Sequence, residues 1–221
     1  MTVLAGHPSG NPNSHHAALA HYEMGRLEAF CVPWMPSCTT LSLLQKSPIL
    51  RRSAARLERR HFPPLALAPK VQGRIGEWSR LVRRAAGLGD EGLSYEANDW
   101  LMRTMAHECR RSGVSAVHSF EDCSQLQFEE AKRRGQACIY DLPIGFYPAW
   151  ESTLAELAKT YVDWLPAGGL PASRYVRPVQ KRREMELADL VLVPSSFVES
   201  TVRDAHPGKR LARATYGVDL D

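Results

Sequence analysis

Three short stretches hold the side chains best suited to chemistry. In "HPSGNPNSHH", Gly10, Asn11, Asn13 and Ser14 stand ahead of a segment patterned for a helix. The free N–H groups at such a helix start can hold an anionic or hydroxyl-rich ligand. The same residues also make an ordinary turn with an N-cap at Ser14, and both readings stay open here. The stretch is not G-x-G-x-x-G, so a dinucleotide fingerprint is absent. In "HSFED", His118, Glu121 and Asp122 lie close together. Glu121 can accept a hydrogen bond from a sugar-like hydroxyl, while Asp122, with Gln125 after it, reads as a helix cap and His118 as a strand residue. In "YDLPIGFY", Asp141 precedes a proline-stiffened loop beside Tyr140, Phe146 and Tyr147. An acid among rings suits carbohydrate, whose polar edges want hydrogen bonds and whose C–H faces pack on aromatics. Ser195 and Ser196 follow "LVLVP", where capping is their expected work.

Other chemistries find less support. The five cysteines (Cys31, Cys38, Cys109, Cys123, Cys138) are odd in number and form no C-x-x-C pair, which argues against a disulfide framework and against zinc. They read as reduced thiols, mostly in the core. His107-Glu108 is not followed by a second histidine in H-E-x-x-H spacing, and His15, His16 and His21 miss the same-face i, i+4 relation, so no metal is expected.

The elements that must position these residues alternate. "TVLAG", "LEAFCV", "VSAVHSF", "QACIYDL", "DLVLVPSS" and "RLARAT" read as strands, with "PPLALAPKV" either a strand or an irregular crossing. Between them, helices are expected from Ser14 to about Met24, from Ser47-Pro48 onward, over about 77–86, 95–111 and 149–164, through "VQKRREMELA", and through "FVESTVRDA" behind a cap at Ser196. Apolar strands alternating with helices imply a parallel sheet buried on both faces, a Rossmann-like α/β domain. Ligands then sit beyond the carboxyl ends of the strands, where the three stretches fall.

Net charge is +4, but from Arg51 to Arg84 ten Lys/Arg face only Glu58 and Glu77. That window carries +8, so the rest of the chain carries −4. Arg52, Arg56, Arg59 and Arg60 gather on one face of the helix that follows Ser47-Pro48, a candidate contact for anionic surfaces, or else a solvated face. The arginines lack interleaved aromatics, so nucleic acid is not an expected partner. The chain shows no run of about 18 apolar residues. Its start, "MTVLAGHPSG", lacks the layout of a signal peptide, and a cytoplasmic protein is expected.

"ELADLVLVPSSFVESTVRDA", followed by "YGVDLD", resembles the end of the N-terminal domain of a family 4 glycosyltransferase of two-domain GT-B architecture. "GNPNSHHAALAHYEMGRLEAF" and "HSFEDCSQLQFEEAKRRGQACIYDLPIG" resemble the first loop and middle of a bacterial branch of that family. The resemblance implies an acceptor-side Rossmann-like domain over residues 1–215 and the start of an interdomain linker at 216–221. It places the donor-binding domain, with its Glu-x7-Glu signature, outside this sequence. It further implies transfer of a sugar, with retention, from a nucleoside-diphosphate donor (a UDP- or GDP-sugar) to a hydroxyl on a glycan or lipid-linked acceptor, with peripheral membrane contact through the basic helix and little activity in this chain alone. Gly10 and Asn11 then lie in the loop that closes near donor phosphates and acceptor, Ser195 matches the family's serine after the sixth strand, and Asp141 stands where many members have a histidine. A different class also fits: a non-catalytic Rossmann-like module that binds a glycan or an anionic lipid head group.

Overall fold

The computed structural model describes residues 1–46, 51–85, 91–111, 113–164 and 177–217, without the side chains of residues 52, 53, 56, 84, 85 and 91–94. Among them, seven short runs form one sheet: β1 (Val3–Gly6), β2 (Leu27–Val32), β3 (Lys70–Gln72), β4 (Ala116–Phe120), β5 (Ala137–Asp141), β6 (Leu190–Val193) and β7 (Leu211–Arg213). Their order is β3-β2-β1-β4-β5-β6-β7, and every neighbouring pair is parallel. The strand order reverses between β1 and β4, and that reversal opens a crevice above their carboxyl ends.

The connections are α1 (Pro12–Glu23), α2 (Cys38–Lys46), α3 (Arg51–Glu58), a 3-10 turn at Pro63–Leu65, α4 (Arg74–Ala85), α5 (Glu91–Glu108), α6 (Gln125–Arg133), α7 (Tyr147–Thr160), a second 3-10 turn at Val162–Trp164, α8 (Pro178–Leu187) and α9 (Ser196–Ala205). Alternation along the strands divides the core. Leu4, Ala29, Cys31 and Val117 join one large cluster with Leu101, Met105, Phe128, Met185 and Val202. Ala5, Phe30 and Val32 face the other way, onto Ala18 of α1 and Leu65. Helical cover on both faces is therefore written into the strands residue by residue. A third cluster, with Trp34, Leu41, Leu57 and Leu81, ties α2, α3 and α4 together beyond the β3 edge.

The expected α/β architecture and all six clear strands stand where the sequence placed them. Local details differ. The first helix starts at Pro12, capped by Asn11 Oδ1, which accepts from Ser14 N at 2.8 Å. Proline at the first helical position gives up an N–H that had no partner anyway, so the cap moves three residues upstream of Ser14. The last helix is capped by Ser195, not Ser196, through Val198 N at 3.3 Å. Asp122 caps nothing: its φ of 68° turns the chain, and its N–H points to Glu184. The helix over 38–46 is not legible in its sequence, "CTTLSLLQK", which lacks a charged outer face. The expected start of the basic helix at Ser47-Pro48 lies outside the described residues, as do the side chains of Arg52 and Arg56.

Candidate functional site

His7 is the first residue beyond β1. Its Nδ1 accepts from the backbone N–H groups of Ser9 and Gly10, each at 3.1 Å. Those donors leave the ring proton on Nε2. Burial, with His15 and Arg60 nearby, pushes the imidazole down to about 3, so it stays neutral near pH 7. The ring also packs edge-on against Phe120 at the end of β4, with centroids 4.9 Å apart. His7 thus closes the loop into a fixed hook and pins it across the strand reversal.

Asn11 completes that hook. Because its Oδ1 is committed to Ser14 N, its Nδ2 is turned toward His7 Nε2, 3.4 Å away. Two N–H donors therefore stand side by side. An oxygen carrying lone pairs, from a phosphate or a hydroxyl, satisfies both at once. Gly10 makes the hook possible at φ 62°, a left-handed conformation with a steric cost for other residues. A Cβ there would also stand 3.0 Å from His15 Nε2 and from Val32 Cγ2. Asn13 faces solvent and hydrogen-bonds the Tyr216 hydroxyl. Ser14 is buried, and its hydroxyl donates to Asn11 O at 2.8 Å, so it braces the loop from beneath.

A second set runs from α1 through β4 to β5. His21 Nε2 lies 3.0 Å from His118 Nδ1, and His118 Nε2 lies 3.6 Å from Asp141 Oδ2. The consistent proton arrangement has His21 Nε2–H donating to His118 Nδ1, which leaves the His118 Nε2–H facing the carboxylate. Burial and the neighbouring His118 push His21 down to about 4, which keeps it neutral. Asp141 ends β5 with its side chain 14% exposed. Tyr216 lies close enough for the Asp141 charge to help push its phenol up to about 12, after burial. The expected pairing of Asp141 with a loop rich in rings is partly corrected. Tyr140 and Phe146 are buried in the core and cannot stack on a ligand. Tyr147, with the half-exposed Trp150, instead lines a cavity of about 180 Å³ that also reaches Glu121 and Lys181.

Glu121 is not a free acceptor. Lys181 Nζ donates to its Oε1 at 2.6 Å and to the Asp122 carboxylate at 3.1 Å. Burial raises Glu121 to about 7 despite the opposing pull of Lys181. Behind this pair lies Glu184, fully buried, which accepts from Asp122 N, Ser124 N, Tyr140 Oη and Gln180 Nε2 at 2.8 to 3.1 Å. Arg60 is likewise spent internally, donating to the buried Glu77 at 2.6 Å, so it leaves the proposed basic face. Arg59 is exposed. Ser195 remains a cap, on the far side of β5 in the strand order.

The structure therefore gathers Gly10, Asn11, Asn13, His118 and Asp141 around the β1–β4 reversal. His7, His21 and Tyr216 join them. Only His7 carried a legible signal, a ring two and three residues ahead of a Ser-Gly turn whose N–H groups it can reach.

No family model matches the sequence, and no curated protein matches it. Among solved structures, the chain is similar to a UDP-glucosyltransferase from Polygonum tinctorium capable of glucosylating indoxyl, in complex with 3,4-dichloroaniline. That likeness has a TM-score of 0.51 at 13% identity, over 99% of this chain and 53% of the other. It also aligns with Phytolacca americana UGT2, complexed with UDP-2fluoro-glucose and pterostilbene, with a TM-score of 0.44 at 10% identity, over 100% of this chain and 55% of the other. The chain spans about half the length of these structures. At such identities the likeness establishes the fold, a Rossmann-like unit of the GT-B kind, and nothing finer.

Proposed function

We propose that this chain is the acceptor-side lobe of a glycosyltransferase that moves a sugar from a nucleoside-diphosphate donor, a UDP- or GDP-sugar, to a hydroxyl acceptor. The observation that supports the reading is a pair of N–H donors, His7 Nε2 and Asn11 Nδ2, in the loop after β1, with the Asp141 carboxylate at the end of β5, the strand beside β4. Glycosyl transfer needs both kinds of group: donors for the oxygens of a departing phosphate, and a carboxylate for positive charge or a hydroxyl proton. His118 and His21 stand behind Asp141, with His118 Nε2 3.6 Å from its carboxylate. The rest of the donor grip comes from a second Rossmann-like lobe, in the same polypeptide or another, which closes over this one and excludes water. Family 4 membership and retention at the anomeric carbon belong to this reading through the sequence resemblance. The acceptor is a glycan or a lipid-linked sugar, and the cavity beside Tyr147 and Trp150 suits a ring.

The test is turnover of UDP- and GDP-sugars by the 221-residue chain alone and with a donor-binding lobe supplied. No turnover alone and clear turnover with the lobe are expected, and Asp141→Asn should lower kcat about a hundredfold in the active form. Robust turnover by the isolated chain would remove the two-lobe reading. Tight glycan binding with no turnover in either form would favour the non-catalytic module instead.

A further inference from the structure

Four of the five cysteines are buried, and burial pushes each of those thiols up: Cys109 and Cys138 to about 12, Cys31 and Cys123 higher still. Cys38 differs in its surroundings. It is exposed, it is the first residue of α2, and its Sγ lies 3.0 Å from His61 Nε2. His61 Nδ1 lies 2.8 Å from the Pro36 carbonyl, which can only accept, so the ring proton is on Nδ1 and the lone pair of Nε2 faces the thiol. A nucleophile, a base and a group that orients the base are thus assembled. Cys38 also stands at the start of α2, an end that favours negative charge.

His61 belongs as well to the wall of a cavity of about 450 Å³ beyond the ends of β2 and β3. Trp34, Phe62 and Trp78 give that cavity apolar walls, and Arg74 adds a cation. None of these residues serves the crevice at the β1–β4 reversal. We propose that Cys38 is a thiol-modification site, at which a small anionic disulfide seated against this cavity is attacked and left as a mixed disulfide. Cys38 Sγ–H gives its proton to His61 Nε2, and Sγ attacks one disulfide sulfur. The new S–S bond forms as the old one breaks, and the departing thiolate takes the proton from His61. The Cys38 thiol is oxidised, half of the small disulfide is reduced to free thiol, and no other reagent is needed. The inference stands apart from the glycosyl-transfer reading.

The test uses the whole chain with oxidised glutathione near pH 7, followed by intact-mass and peptide mass spectrometry. One glutathionyl group is expected, on Cys38, with Cys38→Ser unreactive. An unstructured peptide carrying the Cys38 segment is the reference, and the folded chain should react at least about threefold faster. That factor is set by deprotonating a thiol that is otherwise a few per cent ionised, offset by lower intrinsic nucleophilicity. His61→Gln should fall to the peptide's rate while its far-UV circular dichroism stays that of the parent chain. Adducts spread over the buried cysteines, or a folded chain no faster than the peptide, would overturn the proposal whether or not the His61 variant folds.

Discussion

The two flanks of the β1–β4 reversal are built from opposite chemistries. In one region, reached from the loop after β1 and from α1, His7 and Asn11 end in side-by-side donors, and His21 and His118 lead to the partly exposed Asp141 carboxylate. On the β4–α6–α8 side, Glu121, Asp122, Lys181, Gln180 and Glu184 satisfy one another almost completely. This second set holds the turn at Asp122 and docks α8 on the sheet. A set that stops at side-by-side donors is completed only from outside. Glu121, a ligand acceptor on the sequence reading, is held by Lys181 at 2.6 Å, whereas His7 Nε2 stands beside a second donor, Asn11 Nδ2.

The sharpest way to break this contrast is Glu184→Ala. It strands two backbone N–H groups and a phenol in the core, and should cost about 3 kcal/mol or more, measured by urea denaturation. A loss below about 1 kcal/mol would show that the closed network is not a scaffold. On the other flank, Gly10→Ala forces a left-handed alanine against His15 and Val32 and should cost about 1–2 kcal/mol. Asn11→Ala removes a cap for about 1 kcal/mol, and with it one of the paired donors. These two variants should also weaken nucleotide-sugar binding more than Glu121→Gln does, by calorimetry on the form that binds.

The smallest effect expected is on pH dependence, and its sign differs between the flanks. Burial lowers His7 to about 3 and His15 and His21 to about 4, from an ordinary 6.5. The unfolded chain therefore takes up protons that the folded one refuses, and stability present above 6.5 is lost as pH falls toward 4. Glu121, raised from 4.5 to about 7, acts the other way: its contribution is present below 4.5 and is lost as pH rises through 7. Thermal midpoints between pH 4 and 8 should show His21→Gln softening the acid limb and Glu121→Gln softening the decline toward neutrality. Unchanged slopes in both variants would erase the electrostatic half of the comparison.

Much of the frame was legible because strands buried on both faces must be apolar at successive positions. "VSAVHSF" and "QACIYDL" could be read without knowing their neighbours. The Gly10–Asn11 loop was legible too, since proline, glycine and asparagine ahead of a helix restrict the backbone locally. Two kinds of feature were not. The His21–His118 contact spans 97 positions along the chain, Glu184 reaches Asp122 from 62 positions away, and Tyr216 meets Asn13 from the far end. Tyr140 and Phe146 looked like ligand-stacking rings, but an aromatic on a buried strand or a docked loop goes to the core as readily as to a crevice.

What the sequence determined by itself is the alternation of elements, the parallel sheet and the loop that turns on Gly10, because these follow from local sterics and from the period of apolar residues. What the tertiary structure decided is which polar side chains are spent and which are left over. That depends on partners brought together only when the sheet is assembled, and a carboxylate or imidazole carries no mark in the sequence of whether its lone pairs will be used.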